Sequence, residues 1–347
     1  MSTVNNGPQI VRSGLVLDLD ASSVTSYSAI AVYSVQCYST YNGGLRSANY
    51  TVQYSDDNST WTTAFTGVMS NNSSCGIIIG TNRNDSNYSK HRYWRYVEGA
   101  AVAGHHPRVA RIDFVTKSGA VYNLITSTTD NCSDSGVYII GTQTKDFGGT
   151  TWRDTSGNSN NVSLTNGPTY NVNNKGNILF DGVDDYGSIT NASSLRPMTE
   201  LTIELVIKAV TTTAGWNHIF GINPYSSLSP LIFLETGGQL IRALHFVDGV
   251  EYRCNANETI STSVFKHVVF TFKPGDAIRS YFNGVASTTA SIPNGTLSYN
   301  TSNAFLIGYL GANWPNVQFG LVRMYNKALT QAEVSQNFQA TRTRFGL

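Results

Sequence analysis

Charge is what this sequence has least of. Lys, Arg, Asp and Glu make up 13% of its 347 residues, about half the usual share of roughly 25%. The 23 basic and 22 acidic side chains nearly cancel, leaving +1. That balance argues against a nucleic-acid binder working by bulk charge and against a polybasic membrane-surface protein. Cysteine is scarce too. Cys37, Cys75, Cys132 and Cys254 are too few for a disulfide scaffold, and reduced thiols are the expectation. No run of about 18 apolar residues occurs, so no membrane-spanning helix is expected. The opening MSTVNNGPQIVRSG lacks the apolar stretch of a secretion signal.

Catalytic signatures are missing as well. There is no Gly-x-Ser-x-Gly elbow and no strand run of the Glu-x-Asp-x-x-Glu kind that would set two carboxylates across a cleft. Glu200 and Glu204 fall on one strand face, where a solvated or hydrogen-bonded role is the expectation. Cys254 reads as a small buried hydrophobe. His105 and His106 are adjacent, so on a strand they would point to opposite faces and make a poor metal pair. His267 reads as a packing or hydrogen-bonding residue.

What is present favours β structure. Hydrophobic residues reach 40%, with 19 Tyr and 15 Phe, enough for a large core. Ser, Thr and Asn stand where Lys and Glu usually do, and with 31 Gly they favour turns and exposed strand faces. Residues 15–20 and 50–55 alternate at period two. Further strands are expected at 30–38, 92–97, 109–115, 137–141, 177–181, 201–208, 217–222, 230–235, 240–247, 264–273, 278–283 and 304–309. Asn-Gly pairs at 166–167, 283–284 and 294–295 punctuate them. One segment, Leu329–Phe338, has helical spacing, with Thr330 as N-cap and Glu333 at the capping-box position. Such a helix is expected to cover a sheet edge or one end of a sandwich.

Several stretches carry a resemblance. Asn177–Tyr186 (NILFDGVDDY), Leu201–Lys208, Phe265–Phe272 followed by Tyr281-Phe282-Asn283-Gly284-Val285, and Phe319–Leu329 with the helix after it resemble the concanavalin A-like, laminin G-like jelly-roll family. Ser13–Ala21 resembles its opening strand and Gly149–Asn158 the stretch that ordinarily follows closely. About 120 residues are therefore inserted between them, an arrangement tolerated when the ends of the insert lie close together. Within the insert, Asn49–Thr62, His91–Val97 and Val109–Phe114 resemble a discoidin-like, galactose-binding-like sandwich. The expected organisation is an all-β chain: an antiparallel jelly roll from 1–26 and 148–347, a discoidin-like β-sandwich at 27–147, and one short C-terminal helix. The jelly roll and its LTQAEVSQNFQATRTRFGL ending also resemble structural proteins of tailed bacteriophages.

The resemblance implies candidate sites. Related jelly rolls hold calcium with Asp side chains, and Asp181, Asp184 and Asp185 cluster in a Gly-containing turn of suitable oxygen ligands; the same side chains equally suit capping of turn amides. For glycan binding, Trp216 with Asn217, Tyr225, and Asn313 with Trp314 lie in polar, loop-like contexts, although edge-of-core or subunit contacts would use the same residues. Trp61, Trp94 and Trp152 are expected in the cores. The basic residues at Lys90-His91-Arg92, Arg108, Arg111, Arg342 and Arg344 are read as solvated faces or protein contacts. The combined expectation is a non-enzymatic virion protein assembled in host cytoplasm, decorating a capsid or tail or forming an adhesive fibre component. Its expected partners are other virion proteins, further copies of itself and host-surface polysaccharide, with no nucleic acid or membrane. The rivals are a bacterial surface lectin or carbohydrate-binding module, and a polysaccharide-degrading enzyme.

Overall fold

The computed structural model describes residues 9–21, 31–39, 48–55, 60–69, 78–81, 91, 93–101, 109–116, 121–126, 142–146, 150–171, 176–211, 216–222, 230–234, 240–260, 262–309 and 314–347. Two compact units make up the chain, Met1–Tyr27 with Gly149–Leu347, and Ser28–Gly148. Strand β1 is Leu15–Asp20. The second unit then contributes β2 (Ser34–Ser39), β3 (Ala48–Ser55), β4 (Thr62–Met69), β5 (Ile78–Thr81), β6 (Tyr93–Ala101), β7 (Val109–Val115), β8 (Val121–Thr126) and β9 (Thr142–Asp146). The first unit resumes with β10 (Thr151–Trp152), β11 (Val162–Thr165), β12 (Thr169–Asn171), β13 (Asn177–Asp181), β14 (Tyr186–Ile189), β15 (Leu201–Ala209), β16 (Asn217–Ile222), β17 (Leu231–Leu234) and β18 (Leu240–Val247). It closes with β19 (Val250–Thr259), β20 (Lys266–Lys273), β21 (Ala277–Phe282), β22 (Val285–Ser291), β23 (Phe305–Ile307), β24 (Asn316–Tyr325) and helix α1 (Gln331–Phe345).

The first unit is an antiparallel sandwich. One sheet runs β12-β13-β24-β15-β20-β21-β22, and the other β10-β11-β14-β23-β16-β17-β18-β19. One edge of β24 is shared in tandem: β13 pairs with its first half, Ile178 opposite Phe319, and β1 with its second half, Asp20 opposite Leu321. Alternate residues of both sheets fill the core between them, among them Leu17, Phe180, Ile203, Leu205, Phe220, Phe270, Phe305 and Phe319. Strand β15 is buried on both faces, not one. Leu201, Ile203, Leu205 and Ile207 face the core, and Thr202, Glu204 and Val206 lie on the outer face, which α1 covers.

Helix α1 carries the anticipated capping box between Thr330 and Glu333, runs on to Phe345 and ends at left-handed Gly346. It lies on the outer face of the first sheet, not on an edge or end of the sandwich. Val334 packs with Leu15, Val269, Tyr281, Tyr325 and Leu329, and Phe345 with Val206, Phe265 and Leu321. Gly320 makes room for it, because a Cβ there would sit 2.3 Å from Phe345 Cε1. The Asn283-Gly284 pair joins β21 to β22 with φ of 48° and 78°, the left-handed pair that a two-residue hairpin requires.

The junction after the insertion is a clasp. Asp154 Oδ1 accepts the amides of Asp18 and Ser156, both at 2.9 Å. Its Oδ2 accepts the Ser156 hydroxyl at 2.8 Å and the Asn160 amide at 2.9 Å. The Thr155 amide returns a bond to the Asp18 carbonyl at 2.9 Å. Trp152 is fully buried.

The second unit holds two four-stranded antiparallel sheets, β5-β2-β7-β8 and β4-β3-β6-β9. Alternate residues of both meet in one core: Val35, Cys37, Ile112 and Phe114 from one, Tyr50, Val52, Trp94 and Tyr96 from the other. Trp61 departs from expectation, being half-buried on the surface. Strands β4, β5, β8, β9, β11, β12, β14 and β22 are not among those expected from the sequence, while 137–141 lies outside the described residues. Cys37 and Cys254 are buried free thiols, pushed by burial up to about 12 and about 11; Cys75 and Cys132 lie outside the described residues. Among the described residues no helix is long and apolar enough to cross a membrane.

Candidate functional site

Two connections cross between the sheets at one end of the jelly roll. Strand β13 ends at Asp181, opposite Asn316 at the start of β24, and the chain passes through Gly182–Asp185 into β14 in the other sheet. Strand β23 leaves that other sheet at Ile307, opposite Gly187, and the chain returns toward β24. The crossings bring three half-buried aromatic side chains together. Tyr309 and Trp314 stack with centroids 4.0 Å apart and planes 15° apart. Tyr186 lies 5.9 Å from each.

The acidic turn adjoins this trio through the Asp185–Tyr186 peptide. Ligand oxygens of Asp181, Asp184 and Asp185 lie within 4.8 Å of one another; the first two residues are exposed and the third is buried. Asp185 Oδ2 accepts the Asp181 amide at 3.0 Å, and Asp181 Oδ1 accepts the Val183 amide at 2.8 Å. Both therefore cap turn amides. Asn166 Nδ2 donates to the Asp184 carbonyl at 2.8 Å. Gly182 adopts φ +80°, and a Cβ there would meet Asn316 Cβ at 2.8 Å. Asn316 Oδ1 is buried with no hydrogen-bond partner among the described residues. The donor set is all oxygen and suits a hard cation such as calcium.

Trp216 stands at the start of β16. That strand pairs Phe220 with Ile307 and Ile222 with Phe305, which carries Trp216 to the same end of the sandwich as Tyr309. It is 42% exposed and rests against Phe233 at 5.2 Å, so Trp216 and Trp314 head different aromatic clusters. Asn217 is not a surface amide: it is buried in β16, opposite Leu234. Tyr225 and Asn313 lie outside the described residues. Tyr186, Tyr309 and Asn316 join the candidates from the structure alone, although Tyr186 closes the NILFDGVDDY stretch and Tyr309 ends the 304–309 run.

Glu204, weighed above as a carboxylate for catalysis, has a different role. Strand register sets Arg323 between Asp18 on β1 and Glu204 on β15. Arg323 Nε donates to Asp18 Oδ1 at 2.8 Å and Nη1 to Glu204 Oε1 at 3.1 Å. Glu204 also accepts from His267 Nε2 at 3.0 Å, Tyr325 Oη at 3.2 Å and Asn337 Nδ2 at 2.7 Å. Asn337, on α1, accepts the Val11 amide at 2.8 Å. All these side chains are buried. Burial pushes the Glu204 carboxyl upward, but Arg323, His267 and Asn337 outweigh it and hold it down to about 2. Burial, and after it the same carboxylate, raise the Tyr325 phenol. This is a structural ion cluster under a helix, closed to substrate. Arg344 is no solvated cation either; it bonds Asp20 and the carbonyls of Gly176 and Gly320.

A family match agrees with the jelly-roll fold of the first unit. Residues 181–335 match the laminin G-type family described as the concanavalin A-like lectin/glucanases superfamily, a span that opens at Asp181 and includes Trp216, Tyr309 and Trp314. Among solved structures, the binding domain of Paraclostridial Mosquitocidal Protein 1 is similar at TM-score 0.47 and 16% identity over 55% of this chain and 49% of that one. The binding domain of Botulinum neurotoxin DC, solved with rat synaptotagmin II, is similar at TM-score 0.46 and 14% identity over 55% and 48%. The chain thus spans about half the length of these structures. No curated protein matches it.

Proposed function

We propose that the jelly-roll unit is a non-enzymatic carbohydrate-binding module whose site is the aromatic and acidic rim formed by Tyr186, Tyr309, Trp314 and the Asp181–Asp185 turn. The observation that carries this reading is the half-buried Tyr309–Trp314 stack set next to a turn of carboxylates. A sugar presents apolar C–H faces and polar hydroxyls; aromatic rings receive the first and carboxylate and amide oxygens the second. Asp181, Asp184 and Asp185 would hold a calcium ion in the same turn, which would supply a further electrophilic contact for sugar oxygens. Catalysis is disfavoured because hydrolysis needs carboxylates facing each other across a cleft. Those of the rim come from one turn, and Asp18 and Glu204 are locked beneath α1.

In the wider reading, the chain is a structural or adhesive component of a tailed-bacteriophage particle. Its discoidin-like insert is a second module, host-surface polysaccharide is its ligand, and virion proteins and further copies are its neighbours. The sequence resemblances and the low charge support this.

Glycan arrays probed with the full chain test the binding reading, followed by calorimetry on any hit. Trp314→Ala should weaken binding at least about fivefold, one stacking contact being worth on the order of 1 kcal/mol or more. A blank array, or binding indifferent to Trp314, overturns it. Mass spectrometry of density-banded phage particles tests the virion reading, which fails if the chain is absent from all of them.

A further inference from the structure

On the outer face of the β4-β3-β6-β9 sheet, one cation is held in place with no carboxylate partner among the described residues. Arg95 of β6 stands opposite Gln53 of β3, and Gln53 opposite Thr63 of β4. Their side chains form a chain of contacts. Arg95 Nε donates to Gln53 Oε1 at 2.7 Å, and Gln53 Nε2 donates to Thr63 Oγ1 at 3.2 Å. The amide orientation follows from these two bonds, because the flipped amide would turn its NH2 toward the guanidinium. The guanidinium carbon lies 4.0 Å from the centroid of the Trp61 ring.

Two contacts therefore fix the guanidinium: an in-plane bond at Nε and an aromatic face beneath it. Neither uses the Nη end, and no carboxylate of the described residues pairs with it. A surface arginine normally keeps its rotamer freedom. This one is already ordered, so a ligand that takes its two Nη donors in bidentate fashion incurs little further ordering cost. Such a ligand is an oxyanion with two oxygens placed to meet the fork, a carboxylate being the planar match. The surroundings are a half-buried indole, a half-buried primary amide and an exposed hydroxyl on the outer face of the sheet. They match a sugar ring better than an extended peptide, which would seek an unpaired strand edge.

We propose that Arg95, stacked on Trp61 and braced by Gln53, is a recognition point for the carboxylate of an acidic sugar, a uronic acid being the simplest case. The site belongs to the inserted unit and does not depend on the jelly-roll rim binding sugar.

The test is calorimetry on the full chain with oligogalacturonate, its methyl ester and poly-glutamate as probes. Oligogalacturonate should bind, more weakly as salt rises, and the methyl ester should lose at least about tenfold. Arg95→Lys keeps the charge but not the fork, and should lose a comparable factor. Gln53→Glu places a competing carboxylate on the guanidinium and should do the same in a protein whose near-UV circular dichroism is unchanged, so the result does not hinge on Arg95 variants folding. Trp314→Ala should leave this binding intact; if it abolishes binding while Arg95→Lys does not, the rim is the site and the proposal fails. Absence of oligogalacturonate binding, equal binding of the methyl ester, or poly-glutamate bound as tightly as the sugar also overturns it.

Discussion

The Asp154 carboxylate accepts the backbone amide of Asp18, 136 residues earlier in the chain, at 2.9 Å. The two residues flank the insertion, and Asp154 supplies four acceptor contacts at the seam. Asp154→Ala should therefore destabilise the jelly-roll unit by about 2–4 kcal/mol, since it orphans several partly buried donors at once. Asp154→Asn, which keeps one acceptor oxygen, should cost less. Urea unfolding followed by tryptophan fluorescence in a chain whose other four tryptophans are replaced by Phe, so that Trp152 alone reports, checks both, and equal midpoints with and without Asp154→Ala would dismiss the clasp.

The Asp18–Arg323–Glu204 row should behave as a buried cluster does when one member is removed. Glu204→Gln leaves Arg323 with a single carboxylate and should cost about 3–5 kcal/mol at neutral pH. Glu204 is held below its unfolded value of 4.5, down to about 2. Its contribution is thus complete above pH 4.5 and lost as pH falls through that window. Acid titration of unfolding free energy should be shallower in Glu204→Gln between pH 4.5 and 2.

His245 governs a higher window. It is buried between Phe272 and Tyr299, its Nδ1 accepts the Phe246 amide at 2.8 Å, and burial pushes its pKa from 6.5 down to about 3. The folded state holds it neutral while the unfolded chain protonates it, so stability present above pH 6.5 declines as pH falls toward 3. His245→Phe keeps an aromatic ring in the slot and should remove that decline. The melting temperature of the variant should change less than that of wild type between pH 7 and 5.

Calcium has its own readout. If the Asp181–Asp185 turn holds the ion, calcium at about 100 times its dissociation constant should add roughly 2.7 kcal/mol of stability. That corresponds to a melting-temperature rise of several degrees. Asp184→Asn should abolish the rise. Wild type melting identically in calcium and in chelator would discard the ion.

The legible parts of the sequence were those whose residues face the core in a regular rhythm. Leu201–Ala209 is apolar enough to announce a strand, and the Thr330–Glu333 cap marks the helix start. Strand β22, VASTTAS, is an edge strand with mostly exposed side chains, so no apolar period betrays it. The outer-face role of α1 is illegible for a related reason: its buried face includes the polar residues Asn337 and Thr341; Asn337 Nδ2 finds its carboxylate partner only once Glu204 is in place, while the Thr341 hydroxyl bonds the helix's own carbonyls of Asn337 and Phe338. At the rim, Trp314 and the three Asp residues stood out by type. The approach of Tyr309 and Tyr186 depends on two sheet crossings that no local pattern encodes.

The tandem pairing along β24 also sets an order of events during synthesis. Asp18 and Arg323 are 305 residues apart, and among the described residues β1 pairs with no strand but β24. At translation rates of roughly 5–20 residues per second, the opening strand emerges and then waits on the order of 15–60 s for its strand partner. In that interval every strand pairing of the inserted unit can form, since none needs a residue beyond Asp146. The nascent chain thus carries a finished passenger and an unfinished host, with the apolar side of LVLDLD exposed to the cell's chaperones until the last strand leaves the ribosome.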